Sequence, residues 1–181
     1  MDKLDSAVEM SVTAHRGQKR KGTAIPYITH PVAVGLSLAR LGCHPDLIIA
    51  GLLHDAVEDT PLTLSEIEEC FGARVAAIVR GCSEDKRKPW RERKGQMVTF
   101  LRTAPLDTIT VTLADKVHNL NTMVRDHAAG DDGFWNRFNR GWEDQRWYYG
   151  ELDRVFSTRL ESAAVSHLYG EFSTAFRQLF A

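Results

Sequence analysis

The chain has 181 residues, a length that suits one compact domain and excludes a multidomain machine. Hydrophobic residues make up 43% and charged residues 26%, near the averages for soluble globular proteins, so a disordered or fibrous chain is excluded. Lys and Arg total 23 against 24 Asp and Glu, a formal net charge of −1, which argues against a nucleic-acid partner held by bulk charge.

The first residues, Met-Asp-Lys-Leu-Asp, lack the apolar stretch of a secretory signal, so a cytoplasmic protein is expected. Leu4, Ala7, Val8, Ser11, Val12 and His15 recur at spacings of three and four, which predicts an amphipathic helix over 2–15. A basic loop, Arg16 to Lys21, follows. Pro31 at the first helical position, then Val32, Val34, Leu36, Leu38 and Leu41 with Gly42 past the end, predict a second helix. Pro45 opens a third that runs through Leu47 to Asp59, apolar nearly all round at first and acidic at its end. Its apolar run, Leu47 to Leu53, falls far short of the ~20 residues that cross a bilayer, so no membrane partner is expected.

Thr63-Leu64-Ser65-Glu66 is a capping box with Leu62 and Ile67 as its staple, and the helix it starts is expected to stop at Gly72. Val75, Ile78 and Val79 predict a helix before Gly81; Met97, Val98, Phe100 and Leu101 predict another before Pro105. Residues 108–112, Thr-Ile-Thr-Val-Thr, alternate like a strand, yet Leu113, Lys116, Val117 and Leu120 continue at helical spacing, so helix is expected there too. A turn-rich break at 127–133 precedes an aromatic stretch from Phe134 to Tyr149, read as a core-capping helical region. Val155 to Phe180 reads as one or two further helices, with Leu168, Phe172, Phe176 and Leu179 on a common face. Cys43, Cys70 and Cys82 are odd in number and form no C-x-x-C, which fits neither a disulfide framework nor a zinc ribbon, so they read as small buried hydrophobes. The expectation is an all-α domain over 1–181.

Leu53-His54-Asp55-Ala56-Val57-Glu58-Asp59 packs one imidazole and three carboxylates into six residues behind an apolar helix. Burying such charges unpaired costs several kcal/mol each, a cost that a bound cation removes. Other segments must complete the shell, and His30 before Pro31 and Asp115 in Leu113-Ala114-Asp115-Lys116 are the candidates. His30, His54, Asp55 and Asp115 make a mixed set of two imidazoles and two carboxylates, suited to Mn²⁺ or a similar divalent ion.

These residues resemble the H…HD…D pattern of the HD-domain metal-dependent phosphohydrolases. The wider text is similar to the hydrolase domain of RelA/SpoT proteins, and within it to the stand-alone small alarmone hydrolases. The segments that carry the resemblance are Ala14 to Lys21, Pro26-Tyr27-Ile28-Thr29-His30-Pro31, Leu52 to Thr60, Phe71-Gly72-Ala73-Arg74-Val75 and Leu113 to Leu120. It covers residues 1 to about 126, leaving 127–181 as a C-terminal helical region packed on that core. The resemblance implies the HD-type helical fold and Mn²⁺ bound by His30, His54, Asp55 and Asp115. It also implies a catalytic role for Glu58 and Asp59 in positioning or activating water, and nucleotide contacts from Arg20, Lys21 and Asn119. The implied reaction removes the 3′-pyrophosphate of guanosine tetra- or pentaphosphate, hydrolysis without synthesis.

Asn121, Cys82-Ser83-Glu84-Asp85 and a longer Gly22 to Ile25 loop depart from the family pattern and leave two other readings open: another nucleotide phosphatase, such as an NADPH 2′-phosphatase, and a non-catalytic nucleotide sensor. Charge placement supports a phosphorylated substrate independently of the resemblance. Arg16, Lys19, Arg20 and Lys21, with Lys86, Arg87, Lys88, Arg91, Arg93 and Lys94, gather 10 of the 23 basic residues into two short stretches. A small-molecule nucleotide is therefore the expected partner; the sequence does not specify an oligomeric state.

Overall fold

The computed structural model describes residues 2–129, 134–137, 140–160 and 165–181. Among them the helices are α1 (Lys3–Ala14), α2 (Thr29–Arg40), α3 (Pro45–Leu53), α4 (Ala56–Asp59), α5 (Leu64–Phe71), α6 (Ala73–Cys82), α7 (Trp90–Leu101), α8 (Leu106–Ala128), α9 (Trp142–Arg159) and α10 (Ser166–Phe180), with a short 3-10 turn at Phe134–Arg137. The protein is all-α, with one isolated antiparallel bridge among the described residues, between Lys19 and Pro26. No described helix is long and apolar enough to cross a membrane. Residues 130–133 of the expected turn-rich break lie outside the described residues, as does Phe138. The chain groups into two compact units, Met1–Asp85 with Pro105–Asp115 and Lys86–Ala104 with Lys116–Ala181.

The first unit is built on α3. Pro45 sits at its start, where a missing N–H costs nothing, and the His44 ring accepts from the Asp46 amide at 3.2 Å. Leu47, Ile49, Ala50, Gly51, Leu52 and Leu53 are all buried, as its apolar circumference requires. Three helices surround it, α1, α2 and α6, and α5 packs on α6. The Thr63 capping box forms as expected, with the Thr63 hydroxyl accepting from the Glu66 amide and the Glu66 carboxylate accepting from the Thr63 amide. Gly72, at φ 95°, ends α5 in a conformation that favours glycine. Residues 108–112 are helix, because Thr108, Ile109, Thr110, Val111 and Thr112 are buried all round and their alternation carries no exposed face.

Three local expectations are corrected. Thr29 opens α2 with Pro31 in its third position, since the Thr29 and His30 amides bond back to Pro26 and Tyr27 and a first-turn proline has no helical partner to lose. The helix expected over Leu47 to Asp59 is interrupted at His54 and Asp55. The cysteines are not core residues: Cys43 and Cys82 are partly buried and Cys70 is exposed, because the short α5 buries only Ile67 and Phe71.

The second unit centres on α9, which packs against α7 and α10. Phe156 and Phe172 meet edge to face at 5.2 Å, and Trp90 lies against Trp147 and Tyr148. The Arg159 guanidinium donates to the Leu101, Arg102 and Ala104 carbonyls, satisfying the C-terminal end of α7. Here the aromatic stretch is largely structural.

Two glycines let α2 and α3 approach closely. A Cβ on Gly51 would stand 2.6 Å from Leu38 Cδ1, and one on Gly35 would stand 2.9 Å from Leu52. Leu38 is fully buried and has no room to retreat. Replacing Gly51 by Ala adds a helix-propensity gain of ~1 kcal/mol, against an overpacking cost of about 1–3 kcal/mol. Gly51→Ala is expected to lower the melting temperature by a few degrees in thermal denaturation; an unchanged or raised midpoint would mean that the α2–α3 contact relaxes freely.

Candidate metal centre

The site begins where α3 stops. His54 (φ −58°, ψ −34°) and Asp55 (φ −94°, ψ −10°) stay near helical geometry, and α4 restarts at Ala56. A break of this kind frees backbone carbonyls that must find partners inside the protein. The Gly51 carbonyl accepts from His54 Nδ1 at 2.8 Å, and the Leu52 carbonyl accepts from the buried Ser11 hydroxyl at 2.7 Å. A carbonyl only accepts, so Nδ1 carries a proton and Nε2 is the ring atom turned the other way.

What lies there is His30 from the first turn of α2. Its Nε2 stands 3.2 Å from His54 Nε2, with both rings essentially fully buried. Asp115, from the middle of α8, places Oδ1 3.2 Å from His30 Nε2 and 3.7 Å from His54 Nε2. Asp55 Oδ2 stands 3.1 Å from His54 Nε2 and 3.4 Å from His30 Nε2. His30, His54 and Asp115 present ligand atoms that all lie within 4.8 Å of one another, and Asp55 joins them through the two imidazoles. Atoms held ~2.1 Å from one ion stand about 3.0 Å apart in neighbouring octahedral positions. The spacing and the donor set, two imidazole nitrogens and two carboxylate oxygens without a thiolate, fit a divalent ion.

The electrostatics agree with that fit. Burial alone would lower the His54 pKa, but the carboxylates of Asp55, 3.1 Å away, and Asp115, 3.7 Å away, outweigh it and hold the imidazole proton well above its usual range. Burial would raise Asp55, yet the His54 charge and hydrogen bonds from His30 and His54 hold it well below the ordinary carboxylate range. Without an ion, then, the carboxylates draw a proton onto His54, where an ion would otherwise supply the positive charge.

Around these four residues stand side chains of two kinds. Glu58 and Asp59 on α4 are partly exposed, and Glu58 Oε2 accepts from the Glu84 amide at 2.9 Å. The Asp59 carbonyl accepts from Gln18 Nε2 at 2.9 Å, and Gln18 Oε1 meets His15 Nδ1 at 2.8 Å. Tyr27 donates its hydroxyl to Asp55 Oδ2 at 2.6 Å. Burial first, then the Asp55 charge, raise its pKa so far that the phenol stays protonated. Ser11, Gln18, Tyr27 and Glu84 were not foreseen as site residues. Their bonds join positions 26 to 41 residues apart, beyond the reach of helical periodicity.

Arg20 and Lys21 sit on a short hairpin, held by the Lys19–Pro26 bridge and by amide bonds from Arg20 to the Ile25 carbonyl (2.8 Å) and from Tyr27 to the Gln18 carbonyl (2.9 Å). Asn119 follows Asp115 by one turn of α8. In the second basic stretch Lys88 pairs with Glu92 at 3.4 Å, Arg91 pairs with Asp144 at 2.8 Å while covering the Trp147 ring, and Lys94 lies over Tyr148. These three cations are engaged in the fold of the second unit.

The family described as "HD domain" matches residues 7–132. A zebrafish (Danio rerio) protein named guanosine-3′,5′-bis(diphosphate) 3′-pyrophosphohydrolase MESH1 is 41% identical over 125 residues, 67% of this chain and 69% of that protein. A Haemophilus influenzae protein named guanosine-3′,5′-bis(diphosphate) 3′-pyrophosphohydrolase is 41% identical over 116 residues, 61% of this chain and 17% of its own length. The chain thus spans less than a fifth of such long bacterial relatives. Among solved structures, that of lmo0812 from Listeria monocytogenes EGD-e superposes with a TM-score of 0.78 at 32% identity, covering 83% of this chain and 98% of that one. A metazoan ortholog of SpoT, reported to hydrolyse ppGpp, superposes with a TM-score of 0.80 at 26% identity, covering 98% of this chain and 96% of that one. The chain belongs to the HD-domain family, and the relatives it resembles include proteins named as guanosine-3′,5′-bis(diphosphate) 3′-pyrophosphohydrolases.

Proposed function

We propose that the chain is a Mn²⁺-dependent 3′-pyrophosphohydrolase of guanosine 3′,5′-bis(diphosphate) and its pentaphosphate, acting in the cytoplasm. The observation that carries this reading is the buried convergence of His30, His54, Asp55 and Asp115 beside the partly exposed carboxylates of Glu58 and Asp59. The names of the relatives supply the substrate class.

His30 and His54 would hold the ion through Nε2, and Asp55 and Asp115 through carboxylate oxygens. When bound, a divalent ion supplies Lewis acidity, drawing charge from phosphoryl oxygens and making water more acidic. Glu58 and Asp59 stand at the end of the helix that follows the ligands, where they orient the attacking water and accept its proton. The Glu84 amide anchors one Glu58 oxygen, so the carboxylate is aimed and not free to swing. Water attacks the phosphorus bonded to the ribose 3′ oxygen; that P–O bond breaks, pyrophosphate departs, and the ribose oxygen takes up a proton. Arg20 and Lys21, projecting from a backbone fixed by its hairpin, hold the nucleotide, and Asn119 adds a further contact to it.

Ion uptake carries its own pH signature. His54 keeps a proton above its usual range in the ion-free protein, and an incoming ion displaces it, so uptake near pH 7 is expected to release about one proton and to tighten as pH rises. The release vanishes once pH exceeds the raised His54 value. Calorimetry of Mn²⁺ binding in buffers of different ionisation enthalpy measures it, with about one equivalent bound by wild type and little by Asp115→Ala. Binding that weakens as pH rises, or full occupancy in Asp115→Ala, would contradict the ligand set.

Replacing Glu58 by Gln and Asp59 by Asn together is expected to leave Mn²⁺ bound and cut kcat by roughly 10²-fold or more, the scale of general-base loss. Chromatography of the products of a nucleotide panel reads both turnover and substrate. Pyrophosphate with GDP or GTP supports the proposal, inorganic phosphate from NADPH replaces the substrate, and no turnover by Mn²⁺-loaded wild type would favour a sensor.

A further inference from the structure

We propose that Tyr27 is a positioning residue for the metal centre: its hydroxyl fixes the Asp55 carboxylate in the orientation that a divalent ion needs. The inference rests on the metal-dependent reading above and adds to it a residue that acts through Asp55.

The argument starts from what holds each ligand. His54 is fixed by its own backbone, through Nδ1 to the Gly51 carbonyl. Asp55 has no such anchor. It occupies the N-cap of α4 yet makes no side-chain bond to that helix's amides, so whatever orients its carboxylate comes from outside that helix. Tyr27 does so from 28 residues away, at 2.6 Å, the length of a charge-assisted O–H···O⁻ bond. It grips Oδ2, the same oxygen that stands 3.1 and 3.4 Å from the two imidazoles. A carboxylate oxygen has lone pairs for both a phenol and an ion.

Tyr27 is itself well held. Its amide donates to the Gln18 carbonyl at 2.9 Å, and its ring lies 5.0 Å from the His15 ring and edge-on to His30 at 5.9 Å. His15 is buried and bonds Gln18, whose amide nitrogen reaches the Asp59 carbonyl. The hairpin that carries Arg20 and Lys21 is therefore tied to the centre at two points, Tyr27 to Asp55 and Gln18 to Asp59. The Arg20 guanidinium lies 5.6 Å from the centre of the Tyr27 ring. Phenylalanine at position 27 keeps the ring and its packing and removes only the grip.

Partners of metal ligands are worth about 10- to 100-fold in ion affinity, and Tyr27→Phe is expected to weaken Mn²⁺ binding by that factor in calorimetric titration of the full chain. Melting of the EDTA-treated protein should be nearly unchanged. Turnover should need more Mn²⁺ for half-activation, with most of kcat recovered at saturating ion. Tyr169→Phe is the matched control: it removes a tyrosine hydroxyl that donates to Asp153 at 3.0 Å, and it should keep wild-type affinity. Unchanged or tighter Mn²⁺ binding by Tyr27→Phe, with wild type loading normally, would overturn the positioning role and leave the proposed function standing. Equal weakening in both variants would overturn the role as well, and so would a Tyr27→Phe protein that no longer folds without the ion. A wild-type protein that takes up no Mn²⁺ would overturn the metal reading and this role with it.

Discussion

Two imidazole nitrogens, His30 Nε2 and His54 Nε2, face each other 3.2 Å apart inside a helical core, with carboxylate oxygens of Asp55 and Asp115 between 3.1 and 3.7 Å from them. Everything nearby is arranged so that this concentration of polar groups is tolerable. Burying a charge costs several kcal/mol unless it is paired, and removing one member of a buried cluster leaves the others uncompensated. The cluster is therefore an all-or-none feature: its four members come from α2, the α3–α4 break and α8, and each is useful only when the others arrive.

That requirement reaches back into the packing. His30 lies five residues before Gly35 on α2, and His54 three residues after Gly51 at the end of α3. The absence of side chains at those glycines lets the two helices come close enough for the imidazoles to meet. Gly51 serves twice, since its carbonyl also holds the His54 ring through Nδ1. The interruption at His54 and Asp55 is tolerated for a related reason. Ser11 on α1 satisfies the Leu52 carbonyl, and because α1 packs on α3, a fold-level contact and a site-level hydrogen bond come from the same residue.

Much of this was legible from residue types. The capping box at Thr63, the stop at Gly72, the helical nature of 108–112 and the meeting of His30, His54, Asp55 and Asp115 follow from periodicity, cap chemistry and the cost of an unpaired charge. What escaped was of a different physical kind. The break within Leu47 to Asp59 leaves no mark in the hydrophobic pattern, because α3 is apolar all round and His54 and Asp55 remain close to helical angles. Tyr27, Gln18 and Glu84 act through single hydrogen bonds to remote segments. The cysteine expectation failed because a small apolar residue has little free energy at stake, so neighbours of greater volume such as Ile67 and Phe71 decide which face of α5 is buried.

The roles proposed for the two groups of residues have different tolerances. Ion ligands need positions accurate to a fraction of an ångström, and helices with interlocked side chains supply that. Cations that meet a phosphorylated ligand act over longer distances and tolerate more freedom, which suits a hairpin tip bearing Arg20 and Lys21. A hairpin left unattached would place those cations poorly with respect to the ion. The Tyr27–Asp55 and Gln18–Asp59 bonds remove that freedom at its base, next to α2 and α4, while leaving the tip at Lys21 and Gly22 exposed. The base of the hairpin is thus joined, through Tyr27 and Gln18, to the same short segment that carries His54, Asp55, Glu58 and Asp59.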